Sequence, residues 1–133
     1  MERINYGKYA PIFLRISLSA VFLWFGYASI FKYELLLGYL PSFTYSIPLI
    51  SLREILFING LFEIVFGLAL LAGFYTRVSA LLLSLHTLSI AYSLGYNDIA
   101  IRDLGIALAT FAVFLNGEDE WCLDRKLKRN RGK

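Results

Sequence analysis

The sequence contains few of the residues that build metal or thiol centres. It has one cysteine, Cys122, and one histidine, His86. A single cysteine excludes an internal disulfide and the chemistry of paired thiols. A single histidine excludes a bis-histidine haem within one copy and argues against a self-contained zinc site. The sequence therefore predicts no catalytic residue and no metal ligand in this chain.

Charged residues are also scarce, at 17% of the chain, while hydrophobic residues make up 58%. A soluble domain of 133 residues does not carry uninterrupted apolar runs as long as those found here. The formal net charge is +3, and six basic residues lie between Arg125 and Lys133. Because no soluble domain accompanies it, this cluster suits an anionic lipid leaflet better than nucleic acid. The composition predicts a protein of the lipid bilayer with no nucleic-acid partner.

Four apolar stretches are long enough to cross the hydrocarbon core of a membrane as helices. They cover residues 11–31, 55–74, 78–94 and 99–115, and a basic tail follows at 117–133. The sequence thus predicts one all-α domain, an integral membrane four-helix bundle. Only residues 75–77 separate the second stretch from the third, so these two helices should be antiparallel neighbours.

Basic residues predict the orientation of this bundle. With four spans the two termini share one side, and ten of the thirteen lysines and arginines lie on that side. The other side holds Lys32, Arg53 and Arg102. The positive-inside rule then places the N and C termini in the cytoplasm. We therefore predict a multi-pass protein of the cell membrane.

Residue type also predicts details of helix packing. Arg15 and Lys32 lie near the two ends of the first span, where both side chains can reach the interfaces as anchors. Small residues that would let helices approach closely are found at Ala69 with Gly73 and at Gly105 with Ala109.

The connection at 32–54 is rich in aromatic residues and is interrupted by Pro41 and Pro48. We interpret it as an interfacial or re-entrant segment over one mouth of the bundle. A simple aromatic anchoring loop fits the same pattern.

The second span carries a carboxylate where a membrane helix tolerates it least. Glu63 lies near the middle of 55–74, where a charge costs at least ~2.5 kcal/mol on insertion scales. Gly60 and Gly67 share its helix face, and Asn59 lies beside them. Glu63 is therefore expected to face protein or a wet cavity, with partners or in its protonated form.

His86 is expected at a similar depth, because the second and third helices are antiparallel neighbours. A contact between Glu63 and His86 would suit a proton relay or the polar head of a quinone. The alternative is a neutral interhelical hydrogen bond, worth ~0.6 kcal/mol in membrane proteins. Arg102 and Asp103 open the fourth span at the outer mouth, where one of them could reach toward Glu63 or both could serve as interfacial anchors. The candidate ligand-binding residues are Asn59, Glu63, His86, Arg102 and Asp103.

Four segments, in this order, resemble the DoxX family of membrane proteins. They are R-x-x-L-x-x-x-F-L-W-x-G at Arg15–Gly26, G-L-F-E-I-V-F-G-L-A-L-L-A-G-F-Y-T-R at Gly60–Arg77, R-D-L-G at Arg102–Gly105 and L-D-R at Leu123–Arg125. The resemblance implies a four-helix integral membrane protein associated with redox work, since the related DoxD proteins belong to a thiosulfate:quinone oxidoreductase. Some relatives partner with superoxide-detoxifying and sulfur-transfer proteins. Distant animal relatives act as receptor-assembly chaperones. The chain departs from the family's frequent Gly-Pro-Gly turn, having Asn116-Gly117-Glu118 instead.

These observations lead to two hypotheses of function. The first is a small subunit or accessory of a membrane redox complex that binds a quinone-like or other lipophilic ligand between its helices. Glu63 would hold the proton or the polar head, His86 would assist, and a membrane or cytoplasmic redox partner protein would supply the electrons. The second is a non-catalytic chaperone or assembly factor that grips partner transmembrane helices in the same polar groove. A small-solute carrier is disfavoured, since no inverted repeat is evident. Homo-oligomerisation stays open.

Overall fold

The computed structural model describes residues 6–132, and all of its regular structure is helical. The α-helices are α1 Tyr9–Phe31, α2 Leu52–Ala72, α3 Thr76–Leu94, α4 Asp98–Asn116 and α5 Leu123–Arg131. Short 3-10 turns cover Tyr6–Lys8, Tyr33–Tyr39 and Ser42–Ser46. The four long helices begin and end within three residues of the predicted boundaries. The all-α prediction is confirmed for this part of the chain, while α5 forms where only a basic tail was expected.

The four long helices pack around one core. Helix α1 packs most extensively on α2, and α3 packs on α4, while α2 with α3 and α1 with α4 complete the bundle. The prediction that α2 and α3 are neighbours is confirmed. The central apolar cluster draws on all four helices and consists of Leu18, Phe22, Leu70, Ala80, Leu83 and Val113.

Within residues 6–132, three helices are long and apolar enough to cross a membrane: Tyr6–Phe31, Leu52–Ala72 and Thr76–Leu94. Between 28% and 44% of each apolar window is buried inside the protein. Most of these side chains therefore face outward, as lipid contact requires. Helix α4 is of similar length but opens with Asp98, Arg102 and Asp103, so its membrane crossing stays a prediction.

The close approach of α1 and α2 occurs at two glycines. A Cβ built on Gly60 would lie 2.7 Å from the carbonyl oxygen of Gly26, and one on Gly26 would lie 2.9 Å from that of Gly60. The close helix approach predicted at Gly105 is wrong, because this residue is exposed and no atom of another segment lies within 4 Å of the position a Cβ would take. Gly73 does meet a close neighbour, but that neighbour is Cys122 in the segment before α5.

Arg15 is not the interfacial anchor that its position suggested. Its side chain is 2% exposed and forms an ion pair with Asp119 in the segment that follows α4. Its Nη1 also donates to the backbone carbonyl oxygens of Leu70 and Leu71 at the end of α2. A guanidinium can remain inside an apolar protein when its donors are paired in this way. Lys32, by contrast, is exposed as an anchor should be.

Helix α5 is fixed to the turn between α2 and α3 by the L-D-R segment. The carboxylate of Asp124 accepts hydrogen bonds from the backbone N–H groups of Tyr75 at 2.9 Å and Thr76 at 2.8 Å. These groups belong to the first turn of α3, whose free N–H groups favour an anionic partner. The backbone N–H of Asp124 in turn donates to the carbonyl oxygen of Gly73. Asp124 therefore caps α3 and orients α5 at once.

Candidate functional site

A cavity of about 240 Å³ lies between the helices, at the end of the bundle where α1 ends and α2 begins. All four long helices contribute to it, and the 36–44 segment contributes further side chains. Its apolar wall is formed largely by Val21, Phe22, Phe25, Leu36, Leu40, Ile55, Leu56, Ile90 and Ile106. Its polar lining includes Asn59, Glu63, Arg102 and Asp103, which are four of the five candidate residues.

Glu63 lies on the buried face of α2 with Gly60 and Gly67 and is 7% exposed. Its Oε1 is 4.0 Å from Nε2 of His86 on the neighbouring helix α3. Its other carboxylate oxygen, Oε2, is buried and has no hydrogen-bond partner within residues 6–132. The carboxyl group thus faces the interior of its own subunit, and Glu63 is also one of the residues that line the cavity.

His86 does not line the cavity, but it contacts a residue that does. Its Nε2 and Oδ1 of Asn59 are 2.8 Å apart, in a hydrogen bond that the imidazole N–H donates because an amide oxygen can only accept. The ring of Phe62 packs on the imidazole with centroids 4.6 Å apart. This arrangement fixes the side-chain amide of Asn59 and keeps His86 beside Glu63, at the similar depth that the sequence indicated.

Arg102 and Asp103 differ in where they face. Asp103 is 8% exposed, whereas Arg102 lies at the cavity mouth. The Arg102 side chain folds back onto Asp103, so that its Nη2 lies 2.7 Å from Oδ1 of that carboxylate. The guanidinium of Arg102 also lies over the rings of Phe25 and Tyr39, at 5.0 and 5.3 Å from their centroids. Such cation–π contacts add to the attraction between these segments. Arg102 therefore offsets the charge of Asp103, and its ion pair is not with Glu63.

The 32–54 connection contributes residues to the cavity that were not among the candidates predicted from the sequence. Its two 3-10 turns bring side chains over the cavity, and Leu36 is buried with Ala28 and Leu56 in a second apolar cluster. The hydroxyl of Tyr45 donates to the carbonyl oxygen of Leu37 and joins the two turns. The segment thus lies over the mouth of the cavity. The aromatic residues and the two prolines had indicated a segment over one mouth of the bundle, but not which of its residues would contact the cavity.

A second polar cluster, also missed in the sequence, lies at the opposite end of the bundle around Asp119. Burial by itself raises the pKa of this carboxyl, but hydrogen bonds from Arg15 and from the backbone of Trp121, with the charge of Arg15, more than offset that effect. The pKa of Asp119 therefore lies below its ordinary value. The thiol of Cys122 accepts from the backbone N–H of Asp119 and from the hydroxyl of Thr76, and burial raises its pKa. These contacts indicate that Arg15, Asp119 and Cys122 stabilise the fold at this end of the bundle.

Comparison with known proteins identifies one family. A family model described as DoxX matches residues 10–95, which include α1, α2 and α3 nearly in full. The match contains the Arg15–Gly26 and Gly60–Arg77 segments together with Asn59, Glu63 and His86. Comparisons with curated proteins and with solved structures gave no match.

Proposed function

The chain belongs to the DoxX family, and we propose that it is a multi-pass cell-membrane protein that binds a quinone-like or other lipophilic ligand between its helices. In this proposal it acts as a small subunit or accessory of a membrane redox complex. The electrons come from a redox partner protein in the membrane or the cytoplasm, because the sequence itself has only one cysteine and one histidine.

The proposed topology has four crossings, with α4 as the last one. The charged opening of α4 is compatible with this placement, because Asp103 is buried among the helices and Arg102 pairs with it near the outer end. Arg15 is buried and no longer counts as an interfacial charge. Nine basic residues remain on the side of the termini, against three on the other side. The positive-inside rule therefore still favours cytoplasmic termini.

The observation that carries the ligand proposal is the unsatisfied Oε2 of Glu63. A buried polar group without a partner costs about 1–3 kcal/mol, so a ligand that supplies the missing partner gains a corresponding advantage. An ionised carboxylate accepts a hydrogen bond from a hydroxyl group, and a protonated one donates to a carbonyl oxygen. A quinone and its reduced quinol present these two groups, and Glu63 can bind both by changing its protonation.

The size and lining of the cavity favour a ring-shaped head group with an apolar tail. A volume of about 240 Å³ is below the ~300–1,000 Å³ range of pockets that enclose a whole drug-sized molecule. The cavity therefore suits one ring, with the tail extending between helices toward lipid. Asn59 also lines the cavity, and the hydrogen bond from His86 to its Oδ1 fixes the orientation of its side-chain amide. Arg102 and Asp103 set the charge at the mouth.

The test is to identify what the purified protein carries. The protein is purified in mild detergent, extracted with organic solvent, and the extract is analysed by ultraviolet absorption and mass spectrometry. We expect a quinone in the wild-type extract. The extract of Glu63→Gln should contain at most about a tenth of the quinone found in the wild-type extract, because the amide cannot exchange a proton with the ligand. Glu120→Gln is the matched control, since Glu120 is exposed at the far end of the bundle, and it should retain the ligand.

The possible results separate the two hypotheses. A wild-type extract without quinone, from membranes that contain quinone, would contradict the ligand proposal. So would an equal quinone content in Glu63→Gln and the wild type. If the extract is empty and a membrane protein co-purifies only when Glu63 is present, the assembly-factor hypothesis is favoured.

A further inference from the structure

At the end of the bundle opposite the cavity, α5 and the start of α3 enclose a groove of about 360 Å³, which we name the tail groove. Its apolar lining comes from Phe74, Val78 and Leu127. Its basic lining comes from Arg77 of α3 and from Lys128 and Arg131 of α5. The groove therefore offers cationic groups directly beside an apolar surface.

The face that α5 turns toward the groove is set by the fold. Asp124 caps α3 and holds the first turn of α5 against the α2–α3 turn. Leu127, Lys128 and Arg131 follow at the third, fourth and seventh positions after it, so they share the face of Asp124. Arg125 and Arg129 do not line the groove. Only part of the basic tail is thus directed into the groove.

The acidic residues of the groove are already engaged. Asp124 accepts from the backbone of α3 and Glu118 forms an ion pair with Lys128. Arg77 and Arg131 are exposed and are not neutralised by these two acids. Helix α5 as a whole carries five basic residues and one acidic residue. The groove is therefore complementary to a negatively charged group.

Aromatic residues indicate that the tail groove lies at headgroup depth. Phe74, Tyr75 and Trp121 are 41%, 62% and 58% exposed at this end of the bundle. Exposed aromatic side chains at the end of a membrane helix are typical of the interface between lipid and water. Next to this end of the bundle, α2 and α3 expose the apolar side chains of Leu68, Leu71 and Leu85, as the hydrocarbon core requires.

We propose that the tail groove binds an anionic phospholipid. Its phosphate headgroup would lie between Arg77 and Arg131, beside the Lys128–Glu118 ion pair. Its acyl chains would extend along Phe74 and Val78 toward the hydrocarbon core. Basic residues next to a membrane helix attract anionic lipids, and an adjacent apolar wall selects a lipid over a free anion. The site depends on the membrane location of the chain and is independent of any ligand in the cavity.

The test is native mass spectrometry of the full chain in detergent, titrated with phosphatidylglycerol or phosphatidylcholine of the same acyl chains. We expect one retained phosphatidylglycerol and no comparable retention of phosphatidylcholine. The double variant Arg77→Gln/Arg131→Gln removes the two groove cations that have no acidic partner there and should bind phosphatidylglycerol about tenfold more weakly. The matched control is Arg125→Gln/Arg129→Gln, which removes the same amount of charge from positions of α5 outside the groove. Its affinity for phosphatidylglycerol should fall by less than about threefold. Inorganic phosphate at the same concentration should not compete.

Two outcomes would overturn this proposal. Equal losses in the two double variants would mean that the tail attracts lipid only through its net charge. Competition by inorganic phosphate would mean that the groove is a site for a free anion. Circular dichroism and the thermal midpoint of each variant without lipid show whether α5 is intact. If the groove variant has lost α5, Arg131→Gln alone is compared with Arg129→Gln.

Discussion

The guanidinium of Arg15 binds both carboxylate oxygens of Asp119, a residue 104 positions later in the chain. Nε donates to Oδ2 at 2.6 Å and Nη2 donates to Oδ1 at 3.2 Å. Nη1 donates to the carbonyl oxygens of Leu70 and Leu71, in the last turn of α2, where carbonyl groups lack the regular partner four residues later. One side chain thus joins α1, the end of α2 and the segment that follows α4.

Replacing Asp119 by asparagine should therefore destabilise the bundle strongly. The side chains of Arg15 and Asp119 are 2% and 3% exposed, so the variant leaves a buried guanidinium without its counter-charge. Removing one partner of a buried ion pair typically costs about 3–5 kcal/mol. Chemical unfolding in detergent measures this change in the free energy of unfolding. Glu120→Gln, one residue further and exposed, should cost less than about 0.5 kcal/mol, and a similar cost for both variants would contradict the assigned role of the pair.

The same pair makes stability depend on pH in the acidic range. The pKa of Asp119 lies below its ordinary value of 3.8 in the folded protein, so the unfolded chain binds this proton more readily than the folded one. The stabilisation is fully present above the ordinary pKa and is lost as the pH falls through the folded value. Thermal midpoints measured from pH 7 downward should show the wild type losing its advantage over Asp119→Asn. A constant difference between the two proteins would contradict this prediction.

The sequence predicted the helices well because apolar runs of this length leave few alternatives in a membrane. Glu63 could also be assigned to the interior, since its cost in lipid is high and its face of α2 is otherwise small. The position of Arg15 was predicted wrongly for a physical reason. Its partners lie 55, 56 and 104 positions away in the sequence. No local pattern shows whether an arginine near the end of a membrane helix reaches outward to water or inward to such acceptors.

The side-chain contacts at the cavity mouth and the helix α5 could not be predicted from the sequence for a similar reason. Leu36 and Tyr39 belong to a short apolar segment whose contacts are set by tertiary packing, with Arg102 of α4 lying over the ring of Tyr39. The basic tail lacks the apolar periodicity of a core-facing helix, and its orientation depends on Asp124 capping α3. Each of these features arises from a contact between distant segments.

The contact between α1 and α2 predicts different responses at two glycines. Gly60→Ala would place a methyl group 2.7 Å from the carbonyl oxygen of Gly26 and should separate the helices. Overpacking of this kind costs about 1–3 kcal/mol. Gly105→Ala is the control, because no atom of another segment lies within 4 Å of its Cβ position. Alanine there should be neutral or should stabilise α4 by up to about 1 kcal/mol. Thermal unfolding of the two variants measures the contrast, and equal effects would contradict the close packing at Gly60.

Cysteine labelling tests the orientation of the bundle. The native Cys122 should not react with the labelling reagent. Its side chain is 0% exposed, and burial raises the pKa of its thiol, so little reactive thiolate is available. Cysteines introduced at exposed positions can therefore be compared without removing it. Gly38→Cys lies in the segment over the cavity and has no atom within 4 Å, whereas Asn130→Cys lies on α5. With cytoplasmic termini, a membrane-impermeant maleimide added to intact cells should label the first and not the second. Permeabilised cells should show labelling of both, and labelling of only Asn130→Cys in intact cells would reverse the proposed topology.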